Sequence, residues 1–390
     1  MNAGNQSEAA TLARRARDAL GRRDAAGALA LLRQAEALES SVELLLDKAL
    51  ALRMLGELAQ AIEALDAALG LDPQDFLALL SKGALLERLG RNRQSVFVYK
   101  AAIAVAPPVQ GLAPGLAAAL EKAKQTVAAG SEALVTHLES TVASLRLQFA
   151  GEDLDRFDES LEIYAGRTRA FVQQPLLLHY PRLPAIPFFD RNHFPWITDL
   201  EAATPTIREE MIAARDRRLE GFVPYIAYPP GVPVNQWIEL NHSLKWSTFF
   251  LWLNGVRQDD ACALCPKTAA VLDSLPMAQQ PNYAPTAMFS VLDPHTKIPP
   301  HTGSTNTRLV VHLPLVLPGP ARFRVGNVTR PWRMGEAWVF DDTIEHEAWN
   351  DADESRAILI FDVWNPLLSD AEKALISAMM TARKAYESQP

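Results

Sequence analysis

The chain has 390 residues, of which 48% are hydrophobic and 22% are charged, and its formal net charge is −8. This length allows two or three domains, and the composition is ordinary for a globular protein. The sequence has no basic run that could form a phosphate-binding face, so we expect no nucleic-acid partner. It also has no apolar run of about eighteen residues, so we expect no transmembrane segment.

The cysteine content and the first residues bear on the cellular compartment. The N-terminus has no apolar stretch of signal-peptide length, and the two cysteines, Cys262 and Cys265, form a single CxxC. One CxxC supplies half of the ligands of a structural zinc site, so we expect two partly buried thiols. A redox or regulatory thiol pair is the alternative. Without a disulfide framework, a cytoplasmic location is favoured.

Residues 1–112 carry an internal repeat. Ala and Leu recur at helical spacing, and Lys48 aligns with Lys82 at a period of about 34 residues. A Leu-Gly pair, at Leu55 and again at Leu89, marks the turn inside each unit. This is the pattern of tetratricopeptide repeats, which are helical hairpins that bury their apolar faces by stacking. We expect two clear repeats and a weaker one before them.

The repeats predict a binding surface for an unidentified protein or peptide partner. The inner helices offer a few cations for this role, namely Lys48, Arg53, Lys82 and Arg88. A helical spacer without a partner is the alternative. Residues 113–178 are expected to form connecting helices, one or two over 116–146 and another over 153–171.

Residues 179–390 predict a β-rich domain, because prolines, aromatics and short apolar runs become frequent. Expected strands lie at 246–252, 287–292, 309–316, 321–325, 338–340 and 357–363. A helix is expected at 204–217, and the capping box of Ser369 and Glu372 opens a last one. The two prolines of segment 297–301 indicate a rigid loop. The fold class is therefore α + β, with N-terminal all-α repeats and a C-terminal double-stranded β-helix of the cupin or jelly-roll kind.

Two histidines and an arginine form the central motif of this domain. His301 and His346 each stand in a polar turn beside an apolar run, and Arg356 follows ten residues after His346. Neutral imidazole is a good ligand for Fe(II), and an enzyme that activates O₂ must leave coordination positions open. The order His, His, Arg resembles that of the Fe(II)/2-oxoglutarate oxygenases.

The surrounding residues narrow this resemblance. The segments are HTGSTNTRLVVHL, FDDTIEHEAWN and RAILIFDVWNP, and they resemble the aspartyl/asparaginyl β-hydroxylase family over roughly residues 180–368. The resemblance implies a 2-oxoglutarate-dependent dioxygenase that uses Fe(II), 2-oxoglutarate as cosubstrate and O₂. An aspartyl, asparaginyl or related acidic group would be hydroxylated.

The resemblance also implies roles for eight residues. His301 and His346 would bind the metal, and Asp342 would hold a metal-bound water without being a ligand. The cosubstrate-binding residues would be Trp246, Ser290, His312 and Arg356. Arg308 would bind the carboxylate of the substrate.

Two positions depart from related patterns. Gly303 stands where most oxygenases of the wider superfamily have the third, carboxylate ligand, and the aspartyl/asparaginyl β-hydroxylases share this departure. A missing carboxylate also leaves halogenase chemistry open. Val310 stands where the animal β-hydroxylases have a further arginine, so the identity of the substrate does not follow from the family.

Other functions remain open at this level. A relative in the same superfamily hydroxylates the acyl chains of lipid A and has similar motifs, so a lipid acyl chain is one alternative substrate. A hydroxylase of a small molecule, such as free or carrier-bound aspartate, is another. A partner-binding repeat protein with a degenerate cupin is the non-enzymatic alternative. The presence of His301, His346, Arg356 and Ser290 together argues against it.

Overall fold

The structure is a computed structural model that describes residues 3–217 and 221–387 of the chain. It divides into two compact units, Met1–Thr168 and Arg169–Pro390. Residues 169–178, assigned above to the connecting helices, belong to the second unit. The division at residues 112 and 178 otherwise stays a prediction. Among the described residues, no helix combines the length and the apolar character that crossing a membrane requires.

Unit 1 is helical, and its helices pair as hairpins. They are α1 (Ala3–Gly21), α2 (Ala25–Leu38), α3 (Val42–Leu55), α4 (Leu58–Leu71), α5 (Phe76–Arg88), α6 (Asn92–Ala104), α7 (Pro114–Gln148) and α8 (Asp155–Ala165). The predicted repeats correspond to the hairpins α3–α4 and α5–α6. The expected weaker copy is a full hairpin, α1–α2.

Local signals explain where these helices begin and end. Ser41 and Asp75 cap the N-termini of α3 and α5 by accepting hydrogen bonds from backbone N–H groups. Gly56 ends α3 in the left-handed conformation, with φ of 85°, which glycine adopts at little cost. In the first hairpin, Asp24 caps α2 in the same way, since its Oδ1 accepts from the Gly27 N–H at 2.8 Å. The weaker copy thus keeps the capping chemistry of a repeat.

Helix α7 is one continuous helix where the sequence predicted one or two. It is bound to the last repeat through the Glu87 carboxylate, which accepts hydrogen bonds from Tyr99, Lys122 and Thr126. Its buried Ala123 belongs to the same apolar core as the repeats. The helix therefore covers the open end of the stack.

The tight packing inside the α5–α6 hairpin yields a first prediction. A Cβ added at Gly83 would overlap the buried ring of Tyr99, whereas Gly70 of α4 has no atom within 4 Å of such a Cβ. We expect Gly83→Ala to destabilise unit 1 by about 1–3 kcal/mol, as overpacking does. The matched control Gly70→Ala should be neutral or stabilising by up to about 1 kcal/mol, because alanine favours helices.

The measurement is urea unfolding of the full chain followed by far-UV circular dichroism. All eight tryptophans lie in unit 2, so tryptophan fluorescence reports that unit separately. Equal dichroism midpoints for the two variants would show that the contact between Gly83 and Tyr99 carries no packing constraint.

Unit 2 contains the remaining helices and the described strands. The helices are α9 (Ile197–Ala202), α10 (Thr204–Arg217), α11 (Asp259–Leu264), α12 (Pro266–Ser274) and α13 (Asp370–Glu387). The strands are β1 (Val223–Pro224), β2 (Trp246–Leu253), β3 (Val256–Arg257), β4 (Ala287–Leu292), β5 (Thr296–His301), β6 (Arg308–Val316), β7 (Ala321–Val325), β8 (Val328–Pro331), β9 (Trp338–Phe340), β10 (His346–Asn350) and β11 (Arg356–Trp364). The capping box that begins α13 is confirmed, because Ser369 and Glu372 exchange hydrogen bonds.

The strands form two antiparallel sheets, as the predicted double-stranded β-helix requires. The larger has the order β1-β2-β4-β11-β6-β9, with β3 beside β2, and the smaller has the order β5-β10-β7-β8. Side chains alternate along a strand, so each sheet has two faces. On β11, Leu359 packs in the core that includes α10 and α12, whereas Ile358 packs with Phe323 of the smaller sheet. Every second side chain of β11 therefore points into the space between the two sheets.

The prediction of a rigid loop at 297–301 is wrong, because this segment is a strand. The segment belongs to strand β5, which lies at the edge of the smaller sheet and, among the described strands, pairs with β10 alone. Proline has no N–H to donate, and edge strands tolerate it because one side of their backbone is unpaired. Pro299 and Pro300 therefore fit a strand that delivers His301 to the space between the sheets.

Candidate active site

A cavity of about 400 Å³ opens between the two sheets. All eight residues predicted to act in the site line it. Seven of them lie on strands of the two sheets, and Asp342 lies in the turn before β10. The eight residues are Trp246, Ser290, His301, Arg308, His312, Asp342, His346 and Arg356. The fold thus brings together side chains that are up to 110 residues apart in the chain.

The two imidazoles lie side by side, because His301 and His346 are register partners across β5 and β10. Their ring centroids are 4.1 Å apart. The Nδ1 atoms of His301 and His346 lie 2.8 Å and 3.0 Å from the backbone carbonyl oxygens of Pro299 and Ile344. A carbonyl can only accept, so each Nδ1 carries the proton and each Nε2 keeps its lone pair.

The surroundings of His301 and His346 favour the neutral form of both imidazoles. Burial lowers the pKa of His301, and burial together with the charge of His301 lowers the pKa of His346 well below its ordinary value. Neutral imidazoles whose Nδ1–H groups bond to backbone are oriented as metal-bound histidines are. In the described part of the chain, no cluster of three or more His, Cys, Asp or Glu side chains is arranged to hold a metal. The histidine pair is thus a two-ligand candidate.

Asp342 explains why position 303 has no side chain. The Gly303 N–H donates to the Asp342 carbonyl at 2.6 Å, and a Cβ at Gly303 would overlap the Asp342 carboxyl group. The carboxyl therefore occupies the space in which a side chain at position 303 would begin. Burial, with a smaller contribution from the charge of Asp341, raises the pKa of Asp342 to about 8.

Arg356 is a buried cation that has no carboxylate partner in the part of the chain that the structure describes. Its side chain is 1% exposed, and its Nε and Nη1 atoms have no hydrogen-bond partner among the described residues. Its guanidinium carbon lies 4.6 Å from the centroid of the Trp332 ring, and burial lowers its pKa to about 9. Because an unpaired buried charge is costly, the geometry favours an anion bound at this guanidinium.

The residues predicted to surround this anion are buried with it. Trp246 donates from Nε1 to the Ser290 Oγ at 3.1 Å, so the hydroxyl proton of Ser290 is available to another acceptor. The Nδ1 of His312 has no partner among the described residues. Burial, followed by the positive charge of Arg356, lowers the pKa of His312 well below its ordinary value. His312 is therefore a neutral imidazole near the Arg356 guanidinium.

Arg308 has internal partners that the sequence did not predict. Its Nη1 donates to the Asp362 carboxylate at 2.8 Å and to the Tyr283 carbonyl at 3.2 Å. Asp362, Tyr225 and Trp237 line the same cavity and were missed. For Asp362 a signal was present, because Arg356, Ile358, Ile360 and Asp362 alternate along β11 and share one face.

Comparison with known proteins assigns the family. The model of the family described as aspartyl/asparaginyl beta-hydroxylase matches residues 201–366. An ornithine lipid ester-linked acyl 2-hydroxylase from Rhizobium tropici is 34% identical over 202 residues, which are 51% of this chain and 67% of that protein. The chain belongs to the aspartyl/asparaginyl β-hydroxylase family. The human aspartyl/asparaginyl beta-hydroxylase is 34% identical over 184 residues, which are 47% of this chain and 23% of that protein.

The helical unit has its own matches. A tetratricopeptide repeat model matches residues 42–75, which are α3, α4 and the turn after them. Similar solved structures include the Arabidopsis OM64 TPR domain, at 18% identity and a TM-score of 0.28, covering 31% of this chain and 98% of that one. For the β unit, the Schizosaccharomyces pombe Cnp3 cupin domain has 11% identity and a TM-score of 0.19, covering 22% of this chain and 55% of that one.

The CxxC cysteines of this family member lie away from the cavity. The Cys262 and Cys265 thiols are free and buried, and their Sγ atoms contact the backbone carbonyls of Leu251 and Glu210. Burial raises the pKa of both thiols, that of Cys265 to about 12. The pair therefore lies in the core beside α12, and both thiols are more completely buried than the sequence predicted.

The contact between Gly303 and Asp342 yields a second prediction. We expect Gly303→Ala to destabilise unit 2 by about 1–3 kcal/mol, because the new methyl group meets the Asp342 carboxyl. The double variant Gly303→Ala with Asp342→Gly should recover most of this loss, giving a favourable coupling energy. Urea unfolding followed by tryptophan fluorescence measures both. Additive effects of the two substitutions would contradict the steric account.

The unpaired guanidinium yields a third prediction, for the ligand-free protein. Arg356→Met removes a buried charge and should leave the free energy of unfolding unchanged or raise it. The matched control Arg324→Met removes a guanidinium that is bonded to Glu345, Glu347 and the Gly326 carbonyl. It should cost about 1–3 kcal/mol. If Arg356→Met is as destabilising as Arg324→Met in urea unfolding, Arg356 is already satisfied without an anion.

Proposed function

We propose that this chain is an Fe(II)- and 2-oxoglutarate-dependent dioxygenase that hydroxylates an aspartyl, asparaginyl or related acidic substrate. The observation that carries the proposal is the buried guanidinium of Arg356. Two of its donors lack a partner within residues 3–217 and 221–387, and it lines the cavity that also holds two oriented imidazoles. A dicarboxylate fits this arrangement, because one carboxylate can pair with the guanidinium while the other end reaches a metal.

The donor set fits ferrous iron. His301 and His346 offer neutral Nε2 lone pairs, and imidazole is a favourable ligand of Fe(II). Asp342 lines the same cavity, from which it would bond to a metal-bound water without being a ligand itself. Two protein ligands leave positions open, and bound iron and 2-oxoglutarate together would supply the oxidising chemistry by activating O₂.

The other cavity residues fit the second carboxylate of 2-oxoglutarate. The planar guanidinium of Arg356 presents parallel N–H donors that can meet both oxygens of a carboxylate. Ser290 can add a third hydrogen bond, because its Oγ already accepts from Trp246 and its proton is unused. His312, held neutral by burial, can donate or accept at the same end of the cavity.

Aromatic side chains would exclude water from this chemistry. The Trp237 ring lies 5.0 Å from the His301 ring, and Phe340 lies 5.5 Å from His346. An enclosed site strengthens the hydrogen bonds and ion pairs inside it and protects reactive species from side reactions. The protein's share of catalysis is therefore to position the C–H bond of the substrate in a dry cavity.

A second candidate is hydroxylation of a lipid acyl chain. It is favoured by the relative from Rhizobium tropici, whose name describes an acyl 2-hydroxylase and two thirds of which this chain matches. Apolar residues that line the cavity, including Val310, Ile358 and Ile360, are compatible with an alkyl chain. We further propose that the tetratricopeptide unit binds a protein or peptide partner, as such repeats commonly do.

A fourth prediction tests the metal site. His301→Ala and His346→Ala should each abolish the formation of succinate from 2-oxoglutarate, because each removes one of two protein ligands. His295→Ala is the matched control, since His295 is exposed and paired with Asp353. The assay contains iron, 2-oxoglutarate and either a pool of cellular peptides and metabolites or a lipid extract. Mass spectrometry then detects products heavier by one oxygen.

The two arms separate the candidate substrates. A mass gain in the peptide and metabolite arm supports the acidic substrate, and a gain in the lipid arm alone supports the acyl chain. Full turnover by the iron-loaded His301→Ala/His346→Ala double variant would refute the proposed site.

A further inference from the structure

In the described part of the chain, the ion pair of Arg308 and Asp362 leaves one hydrogen-bond donor of the arginine and one acceptor of the carboxylate without a partner. Asp362 accepts through Oδ2 alone, from Arg308 Nη1 at 2.8 Å and from the Thr286 N–H at 2.9 Å. Its Oδ1 has no partner among the described residues. On Arg308, Nη1 is the bonded atom, and the buried Nε lacks a partner in the same described ranges.

Both members of the pair face the cavity that contains the proposed metal site. Their side chains are about equally buried, with 13% of Arg308 and 14% of Asp362 exposed. A ligand that reaches Arg308 therefore also meets Asp362. This differs from the buried Arg356 in the same cavity, which has no carboxylate beside it among the described residues.

The charges of this pair select against a simple anion. A carboxylate that binds Arg308 gains attraction from the guanidinium, but the adjacent Asp362 carboxylate repels it over a similar distance, and the two effects largely offset each other. A ligand that carries an ammonium next to its carboxylate satisfies both residues.

We propose that Arg308 and Asp362 together form a substrate subsite for a zwitterionic group, in which a carboxylate pairs with Arg308 and a neighbouring ammonium pairs with Asp362. This inference rests on the proposed function and narrows its substrate class. The acidic substrate is an amino acid or a molecule that ends in an amino-acid-like head group, and Asp362 determines this specificity.

A purely structural role for Asp362 makes a different prediction. If Asp362 only orients Arg308 for a substrate carboxylate, its removal weakens the binding of every carboxylate ligand in parallel. If Asp362 is a subsite for the ammonium, its removal weakens zwitterions and strengthens simple anions. The two roles are therefore separable by ligand charge.

The test uses four probes that share one side chain and differ in charge. They are L-asparagine (zwitterion), N-acetyl-L-asparagine (anion), L-asparaginamide (cation) and N-acetyl-L-asparaginamide (neutral). Binding to the full chain is measured by ligand-observed NMR, which detects weak ligands, with and without Fe(II) and 2-oxoglutarate under anaerobic conditions. The variants are Asp362→Asn and Arg308→Gln. Arg322→Gln, which disrupts an exposed pair with Asp351, is the control.

We expect the wild type to bind L-asparagine about tenfold more tightly than N-acetyl-L-asparagine. Asp362→Asn should reverse this preference, Arg308→Gln should weaken both ligands, and the control should change neither. Equal or tighter binding of the anion by the wild type, a parallel loss in Asp362→Asn, or no binding of any probe would overturn the proposal. If Asp362→Asn does not fold, the relative affinities of the wild type for the four probes decide whether the proposal holds.

The binding test and the test of the proposed function can fail separately. Binding of the probes needs no turnover, whereas the oxygenase proposal depends on succinate formation and on the two histidines. A protein that turns over 2-oxoglutarate but prefers the anionic probe would refute the subsite alone. A protein that prefers the zwitterion but forms no succinate would refute the proposed chemistry.

Discussion

The buried guanidinium of Arg356, which has no counter-ion among the residues that the structure describes, is the constraint on which the rest of the site depends. Arg356 begins β11, which is hydrogen-bonded to β4 on one side and to β6 on the other. A strand held on both sides cannot turn its side chain out to solvent without breaking the sheet. The cation is therefore kept in the cavity at a cost in free energy, and an anionic ligand would offset that cost.

Two carboxyl groups give the cavity its remaining chemistry, and they act in different ways. The Asp342 carboxyl group occupies the space that a side chain at position 303 would need. Position 303 therefore adds no metal ligand beside the imidazoles of His301 and His346. Asp362 pairs with Arg308 and makes the net charge of that pair zero. Within the described residues, the cavity therefore combines a cation without a counter-ion, Arg356, with the neutral ion pair of Arg308 and Asp362. Ligands of different charge can thus bind at different places in one cavity.

Much of this arrangement could be predicted from local sequence. Alternating apolar residues between turn signals predicted β4, β7 and β9 to the residue, and the repeat predicted the hairpins of unit 1. The pairing of Asp362 with Arg308 could not be predicted, because it depends on the register of β6 against β11. The local sequence predicts a loop at 297–301, because proline is unfavourable inside a sheet. The strand accommodates both prolines because β5 lies at the edge of its sheet, which the local sequence does not reveal.

The central claim is that the two imidazoles and the Arg356 guanidinium bind one metal and one dicarboxylate together. A crystal structure of the protein grown anaerobically with Fe(II) and 2-oxoglutarate tests it most directly. The account predicts a metal on the Nε2 atoms of His301 and His346, with a carboxylate of 2-oxoglutarate hydrogen-bonded to the guanidinium of Arg356. Metal bound elsewhere, or Arg356 still unpaired beside a bound 2-oxoglutarate, would contradict it.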